Sequence, residues 1–379
     1  MQEYGNALRK YGNISTSGRD KPSPDALFTL PEAARRVIKS FRLIEGKDHF
    51  VIKSFKNPYE VEFFKRRYSE FYLIGTLKDI ANRDNRDFTQ EQMKNIEKRE
   101  RNEIIEPKTK DNIADWVSYV NVKECLQKAD YFINLNVKSG QIDLEVRFHI
   151  AKIFSLIKLP GCIPPTIDER GMQIAMTARQ VSRCLSRQVG AAVFNEKRYV
   201  VGVGWNDPPM GQVPCSLRTA KELLDSADEK VFSEHERNPK FQDYIRNNFT
   251  HTQHPFCFRQ ELPKFLNKSD KMGEYTRALH AEENALFQAL SRSDGKIENG
   301  TLYVTDCTCN LCAKKAYQLG ISRILYIDEY PGISISQTIH SGTKTIEIDY
   351  FEGATGESYF KLFTPLLPEK DLIQLYQAL

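Results

Sequence analysis

Arg277-Ala-Leu-His-Ala-Glu-Glu-Asn284 and, past a loop punctuated by glycine, Thr301-Leu-Tyr-Val-Thr-Asp-Cys-Thr-Cys-Asn-Leu-Cys312 are the stretches from which the fold is read. His280 and Glu282 stand two residues apart at the head of an amphipathic run, which predicts a helix. Thr301–Thr305 is a short apolar, β-branched run and predicts a strand; Cys309 and Cys312 head the helix after it. One imidazole and two thiolates are three soft ligands for a tetrahedral zinc ion and leave one position open for water. Helix N-termini favour thiolate over thiol, which lowers the cost of gathering such ligands. A carboxylate two residues from the histidine is placed to shuttle the water's protons. The order H-x-E, then C-x-x-C, is the pattern of zinc-dependent nucleobase deamination, with the Glu as general acid/base and not a ligand.

Outward from this centre, Gly190–Phe194 and Tyr199–Val203 read as a strand pair joined by Asn195-Glu-Lys, and Arg323–Ile327 and Thr345–Ile348 as further strands. Thr166-Ile-Asp-Glu169 is a capping box opening a helix that carries Met172, Ala175, Met176 and Val181. The core unit is therefore strand pair, helix, strand, helix, strand. Trp205-Asn-Asp-Pro-Pro is a turn-rich loop, and residues 212–275 read as a long polar insertion of a length that signals function or partial disorder. Thr308, just before Cys309, is expected to cap the second helix through its hydroxyl.

Leu159-Pro-Gly-Cys-Ile-Pro-Pro interrupts strand and helix alike and divides the chain into residues 1–160 and 161–379. In the first part Pro31 opens a helix with Glu32, Ala33, Val37, Ile38 and Phe41 on one face. Phe50–Phe55 reads as a strand, and Asn57-Pro58 as a helix start. Phe71–Gly75 reads as a buried strand, residues 78–112 as a solvated, charge-dense segment, and Trp116–Ala129 as a helix. Tyr131–Leu135 is the next strand and Leu144–Ile157 the next helix. Strands alternating with helices predict a parallel α/β sheet. The G-x-x-x-x-G-K-[ST] phosphate loop is absent, so no kinase chemistry is expected.

With 54 basic against 50 acidic residues the net charge is +4, a near balance that speaks against a dedicated polyanion-coating protein. No apolar leader or membrane-length run is present, so a cytoplasmic location and no membrane are expected. Eight cysteines in such a chain read as metal ligands or buried thiols rather than disulfides. Cys307 could close a four-ligand structural site with the other three, although its C-x-C spacing to Cys309 sends the two side chains in different directions.

His280-Ala-Glu-Glu-Asn-Ala285 and Thr305-Asp-Cys-Thr-Cys-Asn-Leu-Cys-Ala313 resemble the deoxycytidylate deaminase branch of the cytidine deaminase superfamily, as do Ser186-Arg-Gln-Val-Gly-Ala191 and Trp205-Asn-Asp-Pro208. Asn57-Pro-Tyr-Glu-Val-Glu, Phe71-Tyr-Leu-Ile-Gly and Lys128-Ala-Asp-Tyr-Phe-Ile133 resemble the kinase-like domain of bacterial anti-phage deoxycytidine nucleotide deaminases. The resemblance implies an incomplete P-loop-kinase-like α/β domain, then a cytidine-deaminase-like α/β/α sandwich with a mixed sheet. It also implies that a phosphate-loop segment precedes the part similar to residues 1–160, and that proline is usual where Thr308 stands.

The implied activity is hydrolytic deamination of dCMP, dCTP or both, in anti-phage defence. His280, Cys309 and Cys312 would hold zinc and Glu282 would move protons. Asn206 would pair a sugar hydroxyl, and Cys184 and Cys215 stand where some members of the branch hold a second, structural zinc. By residue type, Arg183 and Arg187 could meet phosphates, and the insertion offers His235, His251, His254 and Cys257 as further ligands of that second zinc. A homo-oligomer and a regulatory nucleotide or RNA are further implications. Two rival functions are kept: a polynucleotide cytosine or tRNA adenosine deaminase, which a basic stripe with stacking aromatics would favour, and a non-catalytic zinc-binding scaffold or regulator, which would bind zinc without turnover.

Overall fold

The structure, a computed structural model, describes residues 2–14, 22–78, 89–100, 117–136, 142–266, 275–292, 297–328 and 335–378, and separates into the units Met1–Lys158 and Leu159–Leu379. In the first unit, α1 spans Gln2–Tyr11, α2 Thr29–Glu45 and α3 Pro58–Arg67. α3 starts where the Asn57 side chain accepts from the Tyr59 amide and Pro58 takes the first turn, where its missing N–H costs nothing. β1 (Ile74–Leu77), α4 (Gln90–Glu100), α5 (Val122–Gln127), β2 (Tyr131–Asn134) and α6 (Ile142–Lys158) follow. β1 and β2 pair in parallel, with Gly75 opposite Phe132, so a helix-bearing crossover joins them.

Three expectations change here. Phe50–Phe55 forms no strand: the segment is irregular, Ser54 has φ 72°, and Phe50, Ile52 and Phe55 pack with Phe71 onto Ile38, Phe63 and Phe64. Side chains gathered into one cluster cannot alternate across a pleat. β1 begins three residues later than the predicted Phe71. Val37 and Phe41, expected on the buried face of α2, are exposed, while Pro31 and Ile38 are buried. Most of the charge-dense stretch 78–112, and Trp116 with it, lies outside the described residues.

In the second unit α7 (Ile167–Arg179) opens on the predicted capping box: Thr166 Oγ1 accepts from the Glu169 amide at 3.1 Å, and a Glu169 carboxylate oxygen accepts from the Thr166 amide at 2.8 Å. β3 (Gly190–Phe194) and β4 (Val200–Trp205) precede three helices inside the insertion, α8 (Ala220–Asp225), α9 (Pro239–Asn248) and α10 (Phe258–Phe265). Then come α11 (Ala281–Arg292), β5 (Thr301–Asp306), α12 (Asn310–Gln318), β6 (Arg323–Asp328), β7 (Glu347–Tyr350), α13 (Glu357–Phe363) and α14 (Glu369–Ala378). The sheet order is β4-β3-β5-β6-β7, antiparallel across its first two junctions and parallel across the last two. It is a mixed sheet.

Glycines show how closely its helices lie. Gly190 faces Gly204's neighbour Trp205 across the β3–β4 pair, so Gly190 and Gly204 point to opposite faces. A Cβ on Gly190 would sit 1.9 Å from the Ala175 carbonyl oxygen of α7; one on Gly204 would sit 2.3 Å from that of Ala281 in α11. α7 and α11 therefore cover opposite faces, and β3 is buried along its whole length. Because α11 carries Glu282, Gly204→Ala must push the site. A loss of about 2–3 kcal/mol by overpacking, with zinc content reduced, is the expected result of denaturant unfolding and metal analysis.

The insertion, expected as a polar loop, holds a core of its own. Phe232, Phe241, Phe256 and Phe258 are buried with Leu223, Ile245 and Leu262. Arg218 and Glu236, both fully buried, pair at 2.8 Å, and Arg218 lies over the Phe232 ring. Residues 267–274 of the insertion lie outside the described residues.

Candidate active site

α11 and α12 present their N-termini to one place because β5, between them, runs through the middle of the sheet. His280 immediately precedes α11, and Glu282 is in its first turn. Cys309 is the N-cap of α12, and Cys312 lies in its first turn. His280 Nδ1 is 3.4 Å from the Sγ of Cys309 and 3.4 Å from that of Cys312. Among the described residues these three form the only such group of His, Cys, Asp or Glu, with ligand atoms within 4.8 Å of one another. Zinc takes sulfur at about 2.3 Å and nitrogen at about 2.0–2.1 Å, so three donors at these separations fit around one ion. Cys307 is buried but outside the group.

Burial and the hydrogen bonds within the group shift each of these residues. The hydrogen bond with Cys312 is the largest cause that brings Cys309 down to about 4; burial opposes it and His280 adds to the drop. The same bond and burial push Cys312 up. His280 is raised, chiefly by its bond to Cys309. Glu282 is buried, and burial pushes it up to about 7, with neighbouring His280 pulling the other way. Glu283 points elsewhere: it accepts from the His280 amide at 2.8 Å and pairs with Lys315 of α12, tying the head of α11 to that helix.

Thr308 does not cap α12. Cys309 occupies the cap without a side-chain cap bond, and the buried Thr308 hydroxyl has no hydrogen-bond partner. One residue ahead of the cap is too early to reach the free amides of the first turn.

The predicted substrate residues are more engaged than expected. Asn206 Oδ1 accepts from the Val189 amide at 2.7 Å and from Ser182 Oγ at 2.9 Å, and Nδ2 donates to the Arg187 carbonyl at 2.7 Å. That use of the amide shapes the loop and leaves it one N–H for any other partner. Arg183 donates to Asp207 at 3.1 Å and stays half exposed. Arg187, expected at a phosphate, instead spans Asp306 and Asp328. Cys184 and Cys215 lie near enough to Cys257 to raise its thiol pKa, after burial, which is the larger cause. These three and His254 do not gather their ligand atoms as His280, Cys309 and Cys312 do.

Other positioning groups escaped the sequence reading. Asn284 Nδ2 donates to the Trp205 carbonyl at 2.8 Å, and the Leu279 amide to the Asp207 carbonyl at 3.0 Å, stitching the turn-rich loop to the head of α11. Glu236 accepts from Arg277 at 3.0 Å, fastening the insertion to the segment that leads into His280. The signal for Asp306 and Asp328 was visible: Thr301-Leu-Tyr-Val-Thr-Asp306 and Arg323-Ile-Leu-Tyr-Ile-Asp328 are apolar strands that both end in aspartate.

Residues 165–328 match the cytidine and deoxycytidylate deaminase zinc-binding region. The deoxycytidylate deaminase of Enterobacteria phage T2 is 30% identical over 161 residues, 42% of this chain and 78% of that protein. The chain belongs to the deoxycytidylate deaminase family. The deoxycytidylate deaminase of Saccharomyces cerevisiae is 29% identical over 44% of this chain and 39% of its own length. The crystal structure of dCMP deaminase from the cyanophage S-TIM5 in complex with dCMP and dUMP is 23% identical, covers 50% of this chain and 98% of that one, and has a TM-score of 0.31. As a member of this family the chain is a zinc-binding deaminase, a hydrolase, and its His/Cys/Cys group suits that ion. No helix among the described residues is long and apolar enough to cross a membrane.

Proposed function

We propose that this deaminase hydrolyses dCMP to dUMP and ammonia, with His280, Cys309 and Cys312 holding zinc and Glu282 moving protons. The observation that carries the reading is the buried Glu282 two residues from the histidine of a His/Cys/Cys group, in a chain related to deoxycytidylate deaminases. Zinc held there supplies the Lewis acidity that makes water nucleophilic near neutral pH. Glu282 takes a proton from the attacking water and presents one at cytosine N3. It then protonates the leaving amine as C4 gains oxygen and loses nitrogen. A carboxyl raised to about 7 by burial serves both directions of that traffic.

The finer reading adds dCTP as a second substrate, service in anti-phage defence as a cytoplasmic homo-oligomer, a kinase-like α/β fold without kinase chemistry for residues 1–160, and a regulatory nucleotide or RNA as a further partner. Incubation of purified protein with deoxycytidine, dCMP, dCTP and single-stranded DNA, reading ammonia and uracil products, tests the substrate. Product from dCMP is expected, and product from DNA alone would reject the reading. The proposal also includes a structural zinc at Cys184, Cys215, His254 and Cys257, supported by the nearness of Cys184 and Cys215 to Cys257. Metal analysis should then find more than one zinc per chain, with the excess lost in Cys257→Ser; a single zinc rejects this part.

A further inference from the structure

Asp306 and Asp328 are register partners at the C-terminal ends of neighbouring parallel strands, and both are buried. Arg187 lies across the pair, 2.7 Å from an Asp328 oxygen and in an ion pair with Asp306. Burial raises the Asp306 carboxyl, Arg187 opposes that and Asp328 adds to it. Without the guanidinium, two like charges would face each other where water cannot screen them, so the strand ends would have to part or a carboxylate take up a proton. The turn into the cysteines begins at this point: the Cys307 amide donates to the Asp328 carbonyl at 2.8 Å, and Cys309 follows two residues later. The Arg187 main chain is itself held, its carbonyl accepting from Asn206. One side chain thus joins the loop around Asn206 to the loop that carries the thiols.

We infer that Arg187 is a positioning residue whose guanidinium, by neutralising Asp306 and Asp328, fixes the turn that delivers Cys309 and Cys312 to the ligand group. This rests on the reading of that group as the zinc site. It assigns Arg187 a task unlike the phosphate contact expected of it, because its Nη2 is turned to both carboxylates and its side chain is only 26% exposed.

The test compares Arg187→Met, Arg187→Lys and the double variant Arg187→Met with Asp328→Asn, which restores the cluster's native net charge. Zinc content, thermal midpoint, and kcat and KM for dCMP and deoxycytidine are measured on each. Arg187→Met should lose zinc and about tenfold in kcat on both compounds, with the ratio of their KM values unchanged. The double variant should recover to within about threefold, and Arg187→Lys should keep most of its zinc. A rise in KM for dCMP alone with zinc intact would make Arg187 a phosphate ligand and overturn the inference. A double variant or a lysine variant no better than Arg187→Met would overturn it too. If the native protein turns over neither compound, the proposed activity fails, yet zinc content and thermal midpoint across the same variants still decide the role of Arg187.

Discussion

Glu282→Gln is expected to reduce dCMP turnover about 10³-fold while leaving zinc bound, the loss typical of removing a positioned general acid/base. Glutamine keeps the shape of the side chain but neither accepts nor returns a proton. The site is closed around it: Glu282 is buried at the head of α11, and among the described residues no other carboxylate joins the His/Cys/Cys group. Asp306 influences Glu282 but is itself engaged by Arg187. Turnover assays beside metal analysis of the same preparation check the result, and retained turnover would remove Glu282 from its role. The base must be ionised to take the first proton. With burial holding its pKa near 7, kcat should fall as the pH drops through that value, and a cation bound beside the carboxylate moves the fall to lower pH. Glu282→Gln should lack this acid limb.

His280→Ala is the second large effect. It removes the one nitrogen among three ligands, and with it the hydrogen bond by which His280 helps to hold the Cys309 thiol low. Two protein ligands rarely hold catalytic zinc. Activity should drop below about a thousandth of native, since water loses its activation, and the zinc of this site should be missing from metal analysis. Metal binding is also folding energy where ligands converge from separate elements, so the thermal midpoint should fall, and a chelator should lower it less than it does in the native protein. A His280→Ala protein that keeps its full zinc would show that the ion sits elsewhere. Chelator treatment of the native protein should reproduce the loss, and returned zinc should reverse it.

Much of the site was legible because its signals are local. A histidine and a glutamate two apart at a helix start, and two cysteines heading the next helix, are fixed in relative position by helix geometry alone. The intervening strand Thr301–Asp306 then sets the two helix heads side by side. The Thr166–Glu169 box and the Asn57-Pro58 start were read for the same reason: the hydrogen bonds that make them span three residues or fewer. The mixed order of the strands required more, since it depends on partners distant in the chain.

Where sequence reading went astray, a distant partner had intervened. Phe50–Phe55 has the composition of a strand, but Phe63, Phe64 and Phe71 draw its rings into a cluster and leave its backbone without a ladder. The 212–275 insertion looked polar because its aromatics are spread along it; they meet only when its helices fold, around a buried Arg218–Glu236 pair that no short window reveals. Arg187, read as a candidate phosphate contact, also meets Asp306 and Asp328 from strands more than a hundred residues away, partners that no local pattern announces. Asn206, read as a substrate ligand, also holds the Arg187–Val189 backbone through its amide, a task set by residues it meets only in the fold.

The sequence by itself determined the chemistry of this protein, because ligand type and spacing along a helix start are set within a few residues and suit zinc. Tertiary structure alone decided which charged groups are left to meet a substrate. A carboxylate or guanidinium is committed or available according to what lies within about 3 Å of it, and in this fold those neighbours come from the far ends of other strands.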